Sequence, residues 1–388
     1  MGDRADHQYE IYLNGLVGVL PSLPTDLTRL EELAAERLGP GPFGYVAGSA
    51  GSGRTERANR EALDRVRIVP RMLRDVSARD LSVDVLGRTL SAPLALGPVG
   101  VLSIVHPDAE CAAARAAAAQ GVPYVLSSAS SMPMEEVAEA MGDAERWFQL
   151  YWAKDREVTR SFLRRAKAAG YTALLVTLDT PLLAWRPRDL DQAYLPFLKG
   201  IGTANYFTDP AFLAGLAKPV EEDLNAAVLR FVGMFADPGK TWPDLAFLRD
   251  NWDGPIVLKG IQHPDDARLA ADAGMDGVVV SNHGGRQVNG AVGAADVLPA
   301  VARAVGDRLD VLFDSGIRTG DDVFKALALG ADAVLVGRPY AYGLGLDGRA
   351  GVEHVIRCLL AEFDLTLALS GHARPGELGP EALSPGEG

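Results

Sequence analysis

From residue 92 onward, short apolar runs alternate with longer amphipathic stretches. The runs at 94–97, 124–127, 147–150, 173–177, 256–259, 277–281, 311–314 and 333–337 have strand length and read as buried parallel strands. Helical spacing follows over 107–120, 133–141, 155–169, 243–252, 264–273, 295–305, 320–329 and 350–364. Pro264-Asp265-Asp266 and Thr319-Gly320-Asp321-Asp322 supply helix starts, and Gly170, Gly274 and Gly330 supply ends. The alternation predicts an α/β fold, a closed (β/α)8 TIM barrel over 92–374. An open doubly wound sheet also alternates, but it favours a glycine-rich dinucleotide loop after its first strand, where this chain has Pro98-Val99-Gly100.

The rhythm breaks once, between 177 and 256. The polar, aromatic and proline-containing sequence at about 182–242, with a predicted helix at 220–234, follows the fourth strand on the side where barrel enzymes carry their sites. It reads as a lid; a surface decoration or an oligomer contact is the other reading. Residues 1–91 are expected to form an N-terminal extension. Within it, 1–24 is read as an irregular arm covering one end of the barrel, and 25–38 as a helix stopped by Pro40-Gly41-Pro42. A further helix is expected near 55–65, and a hairpin at 81–91 turned at Gly87. The tail at 375–388, rich in proline and glycine, is expected to be loosely ordered or used in assembly.

Composition narrows the possible functions. A chain of 388 residues with 48% hydrophobic and 23% charged residues has ample material for a core. Its formal charge of −13 argues against nucleic acid as a partner and leaves capture of an anion to local arginines. Cys111 and Cys358 lie far apart in helical contexts and read as packing residues. Met1 to Glu10 shows no signal-peptide pattern and no apolar run reaches the length of a membrane span, so the expected location is the cytoplasm. No clustered Cys/His set, H-E-x-x-H or P-loop is present, and no metal is expected.

The candidate chemistry sits at the C-terminal ends of the strands. Gln149, Tyr151, Thr177, Asp179, Lys259, Ser281, His283 and Asp314 all fall at or just past such an end, where catalytic residues of barrels collect. Ser281-Asn282-His283-Gly284-Gly285-Arg286-Gln287 delivers a base that titrates near neutrality beside a fixed cation, which suits proton removal from an anionic substrate. Asp314-Ser315-Gly316-Ile317-Arg318-Thr319-Gly320 and Gly337-Arg338-Pro339 follow the last two strands, where loops commonly bind phosphate. One phosphate site without an adenylate pocket favours FMN over NAD or FAD. Two G-x-G-x-x-G matches, at Gly39–Gly44 and Gly343–Gly348, do not sit between a strand and its helix and are read as turns. Lys259 is read either as a cation supporting an electron-rich ligand or as a salt-bridge partner. Asp179 either orients His283 or caps the following turn.

Ser281 to Gln287 resembles the signature of the FMN-dependent 2-hydroxy acid oxidase and dehydrogenase family, and the resemblance runs from about Tyr45 to Gly371. Tyr194-Leu-Pro-Phe197, Ala204-Asn-Tyr-Phe207 and Phe313-Asp-Ser-Gly-Ile-Arg318 are most similar to the bacterial lactate 2-monooxygenases. The resemblance implies FMN as cofactor and a homo-oligomer, a tetramer or octamer. It implies that Tyr45 and Tyr151 contact the substrate, that Arg186 and Arg286 clamp its carboxylate, and that His283 is the base. Pro98, Val99, Gly100, Ser128, Gln149, Thr177, Lys259 and Ser281 are implied to line FMN, and Asp314, Gly316, Arg318, Gly337 and Arg338 to hold its phosphate. Gly100 stands where many members carry alanine, which implies extra space near the flavin face that meets oxygen. Asn289 stands where relatives often have aspartate. The implied activity is oxidation of L-lactate by O2 with decarboxylation to acetate, CO2 and water. Alternatives are an oxidase releasing the 2-oxo acid and peroxide, a dehydrogenase passing electrons to a quinone or cytochrome, and a flavin-binding protein without turnover.

Overall fold

The computed structural model describes residues 4–306 and 308–385. The extension contributes helices α1 (His7–Leu16), α2 (Leu30–Arg37), α3 (Pro40–Ala47) and α4 (Arg54–Asp64). Strand β1 (Val66–Ile68) and a hairpin of β2 (Val83–Val85) and β3 (Arg88–Leu90) follow. Strand β4 (Leu94–Leu96) then opens the barrel, followed by α5 (Ala109–Gln120), β5 (Tyr124–Ser127), α6 (Met134–Met141), β6 (Arg146–Tyr151), α7 (Arg156–Ala168) and β7 (Ala173–Thr177). The insertion holds α8 (Pro187–Leu190), α9 (Ala204–Phe207), α10 (Pro210–Leu213) and α11 (Leu224–Met234), and leads into α12 (Leu245–Asn251). The second half runs β8 (Ile256–Ile261), α13 (Pro264–Asp272), β9 (Gly277–Val280), α14 (Ala294–Val305), β10 (Asp310–Phe313), α15 (Gly320–Ala328), β11 (Ala333–Val336) and α16 (Arg338–Leu369), which is broken at Asp347–Gly348. Strands β4 to β11 pair in parallel and close on themselves, β11 against β4, as the alternation predicts.

The interior of the barrel is a dry plug of Ala95, Val125, Trp147, Leu175, Val257, Val279, Leu312 and Leu335. The hairpin, not the N-terminal arm, closes its lower mouth: Val85, Leu86 and Leu90 pack into that interior, and the Leu86 amide donates to Asp310 Oδ2 at 2.6 Å. The arm instead forms α1, which lies on the outside near α16. Its start is tied down by the Ala5 amide donating to Asp364 Oδ2 at 2.8 Å.

Three further expectations are corrected. Pro40-Gly41-Pro42 does end the preceding helix but also begins α3, because proline at the first helical position has its backbone angle preset and needs no partner for an N–H. The two glycine motifs are therefore helical for most of their length, one in α3 and one in the first half of α16. The tail is ordered as far as it is described: β12 (Leu383–Pro385) pairs antiparallel with β1, and Ala382 is buried.

Candidate active site

Side chains alternate along a strand, so the residue two positions beyond each interior plug residue also points inward, at the C-terminal mouth. Those residues are Gly97, Ser127, Gln149, Thr177, Lys259, Ser281, Asp314 and Gly337, a ring of small and polar groups above an apolar core. Its members satisfy one another. Ser127 Oγ donates to Gln149 Oε1, and Gln149 Nε2 to Thr177 Oγ1, each at 2.9 Å. The Lys259 ammonium, 4% exposed, meets Asp314 Oδ2 at 2.8 Å and Ser281 Oγ at 2.9 Å. Burial pushes Lys259 down, but Asp314 and Asp179 outweigh it and hold the ammonium above the ordinary lysine value. The salt-bridge reading of Lys259 is seen in its pairing with Asp314, and the residue also lines the cleft.

Above the ring opens a cleft whose empty space, counting the part open to solvent, is about 1190 Å³. Tyr45, Tyr151, Arg186, His283 and Arg286 line it, as do Gly316, Arg318, Gly337 and Arg338. Pro98, Val99, Gly100, Thr177, Lys259 and Asp314 are also in the wall. Ser128, Gln149, Asp179 and Ser281 do not line it. They stand behind, with Ser128 Oγ accepting from the Tyr151 amide at 2.9 Å and Ser281 Oγ from the His283 amide at 3.0 Å. Ser127, Ala129, Thr180, Leu183, Ser315, Phe197 and Phe235 line the cleft without having been predicted. For Ser127 the signal was present, since it shares the inward parity of Val125.

His283 is held in the left-handed region at φ 60°, followed by Gly284 at 65° and Gly285 at 77°. A Cβ on Gly285 would stand 2.5 Å from the Glu56 backbone nitrogen, so the turn needs glycine there. The turn presents the imidazole, whose Nδ1 lies 2.7 Å from Asp179 Oδ1. Burial pushes Asp179 up, but His283, Lys259 and Thr180 together hold it below the ordinary carboxylate value. Burial also drives His283 below the ordinary histidine value, against the pull of Asp179. The consistent state is a neutral imidazole donating from Nδ1 to a carboxylate, which leaves the Nε2 lone pair as the base.

The arginines are anchored by spare backbone acceptors. Helix α3 ends with carbonyls that have no partner inside the helix. Arg286 Nη1 donates to Tyr45 O at 2.6 Å and Gly48 O at 2.7 Å, while Arg338 donates to Val46 O at 3.2 Å and Gly48 O at 2.9 Å. Arg186 is held by the Arg286 carbonyl at 3.0 Å and by Gln287 Oε1 at 2.7 Å. Burial, with Arg186 beside it, lowers Arg286 to about 10, still charged at neutral pH. Burial and the neighbouring Arg338 likewise hold Arg318 below the ordinary arginine value.

The cleft therefore gathers five cations (Arg186, Lys259, Arg286, Arg318 and Arg338) against one lining carboxylate, Asp314, in a chain whose net charge is −13. Buried cations without enough counter-charge call for anionic ligands. Arg318 and Arg338, beside Gly316, Gly337 and the start of α16, fit a phosphate. Asp314 does not: its carboxylate would repel a phosphate, and it is bound to Lys259. The extra space expected at Gly100 is also absent, because an added Cβ would lie 2.7 Å from the Ala129 carbonyl oxygen and 3.1 Å from its Cβ. Gly100→Ala is expected to force these two loops apart at a cost of about 1–3 kcal/mol and to weaken FMN binding. Melting curves with and without added FMN check this. Asn289 serves the N-terminus of α4, accepting from the Arg54 amide at 2.9 Å.

The insertion roofs the cleft with aromatics. Phe235 packs tilted against Tyr151 at a ring distance of 4.8 Å, and Phe197 and Phe231 lie 5.6 and 5.0 Å from Phe235. Buried Asn205 ties it to the barrel, accepting from the Met134 amide at 2.8 Å and donating to the Ser127 and Ser128 carbonyls.

Fold and site together describe a barrel whose cleft fits a phosphorylated cofactor and a further anion beside a histidine paired with a carboxylate. A family model described as FMN-dependent dehydrogenase matches residues 34–385. An FMN-dependent alpha-hydroxy acid dehydrogenase of Penicillium citrinum is 48% identical over 94% of this chain and 92% of its own length. An L-lactate oxidase of Lysinibacillus sphaericus is 41% identical over 93% of both chains. A crystal structure of mandelate oxidase with (S)-4-hydroxymandelic acid superposes with a TM-score of 0.83 at 38% identity, covering 93% of this chain and 98% of the other. The chain belongs to the FMN-dependent dehydrogenase family, with FMN as its cofactor and oxidation of 2-hydroxy acids as its chemistry. Among the described residues no helix is long and apolar enough to cross a membrane.

Proposed function

We propose that this protein oxidises a short L-2-hydroxy acid, L-lactate first, with O2 as electron acceptor. The observation that carries the reading is the His283–Asp179 pair at 2.7 Å in the same cleft as Arg186 and Arg286. The two guanidiniums hold the substrate carboxylate, and Tyr151, whose phenol burial raises well above the ordinary tyrosine value, stays protonated as a hydrogen-bond donor. His283 takes up the substrate proton at Nε2, and Asp179 stabilises the imidazolium that results. Bound FMN would supply the two-electron acceptor for the substrate and the route from there to O2. The ring residues Lys259 and Thr177 and the loop residues Pro98, Val99 and Gly100 would hold it. Gly316, Arg318, Gly337 and Arg338 would take its phosphate, while Asp314 positions Lys259. The balance is one hydroxy acid and one O2 to one 2-oxo acid and one H2O2.

A second reading rests on the aromatic roof. If Phe197 and Phe235 keep pyruvate beside the peroxide, the products become acetate, CO2 and water, the monooxygenase outcome. A product balance with L-lactate in air, without catalase, separates the two. Pyruvate and peroxide in equal amounts identify the oxidase, acetate and CO2 matching the lactate consumed identify the monooxygenase, and no turnover contradicts both.

The pH dependence follows from the state of His283. Because the imidazole is held below its ordinary value of 6.5, kcat/KM is expected to rise with pH through an apparent pKa below 6.5 and stay flat above it. Asp179→Asn removes the group that raises His283, so the limb moves to still lower pH. The same change loses the Nδ1–H tautomer, with kcat falling about 100-fold or more. Initial rates across pH at saturating O2 check both.

A further inference from the structure

The buried carboxyl of Glu110 takes no part in the chemistry above. It sits in α5, 0% exposed, among positions otherwise filled by Ala109, Ala112 and Ala113. Its Oε1 accepts from the Leu102 amide at 3.1 Å and the Ser131 amide at 2.9 Å. Those amides belong to two different loops. One follows β4 and carries Pro98, Val99 and Gly100; the other follows β5 and carries Ala129. The loops also join directly, the Val101 amide donating to Ala129 O at 2.9 Å. One carboxylate oxygen thus ties two walls of the cleft together from behind, and Tyr340 pins the first of them by donating to Gly97 O at 2.9 Å. A carboxyl buried without a cation is costly, and an alanine would fill α5 more cheaply if nothing used it.

We propose that Glu110 is a positioning residue that sets loops 97–102 and 127–131 against the bound FMN; this rests on the placement of FMN beside Pro98, Val99 and Gly100 proposed above. The groups that face Glu110 are Tyr124 from β5, Tyr340 from α16 and Cys111 on its own helix, all shifted upward by burial and so neutral. From α6, Glu136 is exposed; on and before α5, Asp108 and Arg115 are exposed and His106 is half-buried; the 102–104 turn carries no titratable group. With backbone amides as its only stabilising contacts, burial raises Glu110 to about 7. In the unfolded chain it ionises near 4.5. Its contribution to stability is therefore largest at acid pH and falls as pH rises from 4.5 to about 7, then levels off. The charge-assisted bonds to Leu102 and Ser131 are complete only above that range.

The test compares wild type, Glu110→Gln and Glu110→Ala as FMN holoproteins, reading melting temperature and FMN affinity from about pH 5.5 to 8.5. Wild type is expected to show a pH step in both that ends near 7: melting temperature falls as pH rises towards about 7 and then levels off, while FMN affinity rises over the same range. Glu110→Gln keeps one acceptor oxygen for both amides, so FMN affinity stays within about threefold and the step disappears; Glu110→Ala binds FMN about tenfold more weakly. A step that persists in Glu110→Gln, or wild-type FMN affinity in Glu110→Ala, overturns the proposal. The FMN placement is tested apart from it by Gly100→Ala. If that variant leaves FMN affinity unmoved while the Glu110→Gln step is lost, the placement fails rather than the titration of Glu110.

Discussion

His283→Ala is expected to keep its yellow colour and its FMN affinity, while reduction of the flavin by L-lactate slows by about 1,000-fold or more. General base catalysis is worth about 100- to 10,000-fold, and the imidazole here is both the base and the group Asp179 has oriented. FMN retention is expected because Arg318 and Arg338, proposed to take its phosphate, are held by backbone carbonyls and not by the imidazole of His283. Anaerobic stopped-flow mixing with lactate reads the effect directly. Reduction at the wild-type rate would remove His283 from the role of base.

Lys259→Met is expected to do more damage to the fold. It leaves the half-buried Asp314 beside Ser281 with its salt bridge gone; removing one member of a fully buried pair costs about 3–5 kcal/mol, and here, with Asp314 open to the cleft, about 2–4 kcal/mol is expected. The protein should melt lower and purify with little FMN. Combining Lys259→Met with Asp314→Asn relieves the unpaired carboxylate and is expected to restore most of the melting temperature. Flavin reduction should remain slow, because the ammonium in the ring at the base of the cleft is then gone and the arginines higher in the cleft do not replace it. Thermal melts and flavin content of the single and double variants separate stability from chemistry. Full recovery of reduction in the double variant would make Lys259 structural only.

The barrel was legible because its strands are short apolar runs and several of the helices between them end in glycine, at Gly170, Gly274 and Gly330. Local pattern and global fold agree there. The mouth ring was legible for a related reason: Lys259 and Asp314 are charges at the ends of buried runs and need a purpose. Ser127 and Gly97 carry no such flag, and only their parity with Val125 and Ala95 marks them. Contacts across long stretches of sequence were not legible. Nothing local says that Arg286 will be seated on carbonyls of Tyr45 and Gly48, some 240 residues earlier, or that Gln287 will hold Arg186. Glu110 looked like one charge in an alanine-rich helix until the fold brought two loops to it. In α1, Tyr9, Tyr12, Leu13 and Leu16 stand at helical spacing, so the helix was legible there; what the stripe does not show is that this apolar face stays exposed instead of covering the end of the barrel.

The measurement that tests the central claim most directly is anaerobic mixing of the purified FMN protein with L-lactate, followed by admission of air. The account predicts that L-lactate bleaches the visible flavin band, that D-lactate does not, and that the band returns with consumption of one O2 per flavin. A flavin that stays oxidised with L-lactate and with larger L-2-hydroxy acids would contradict it.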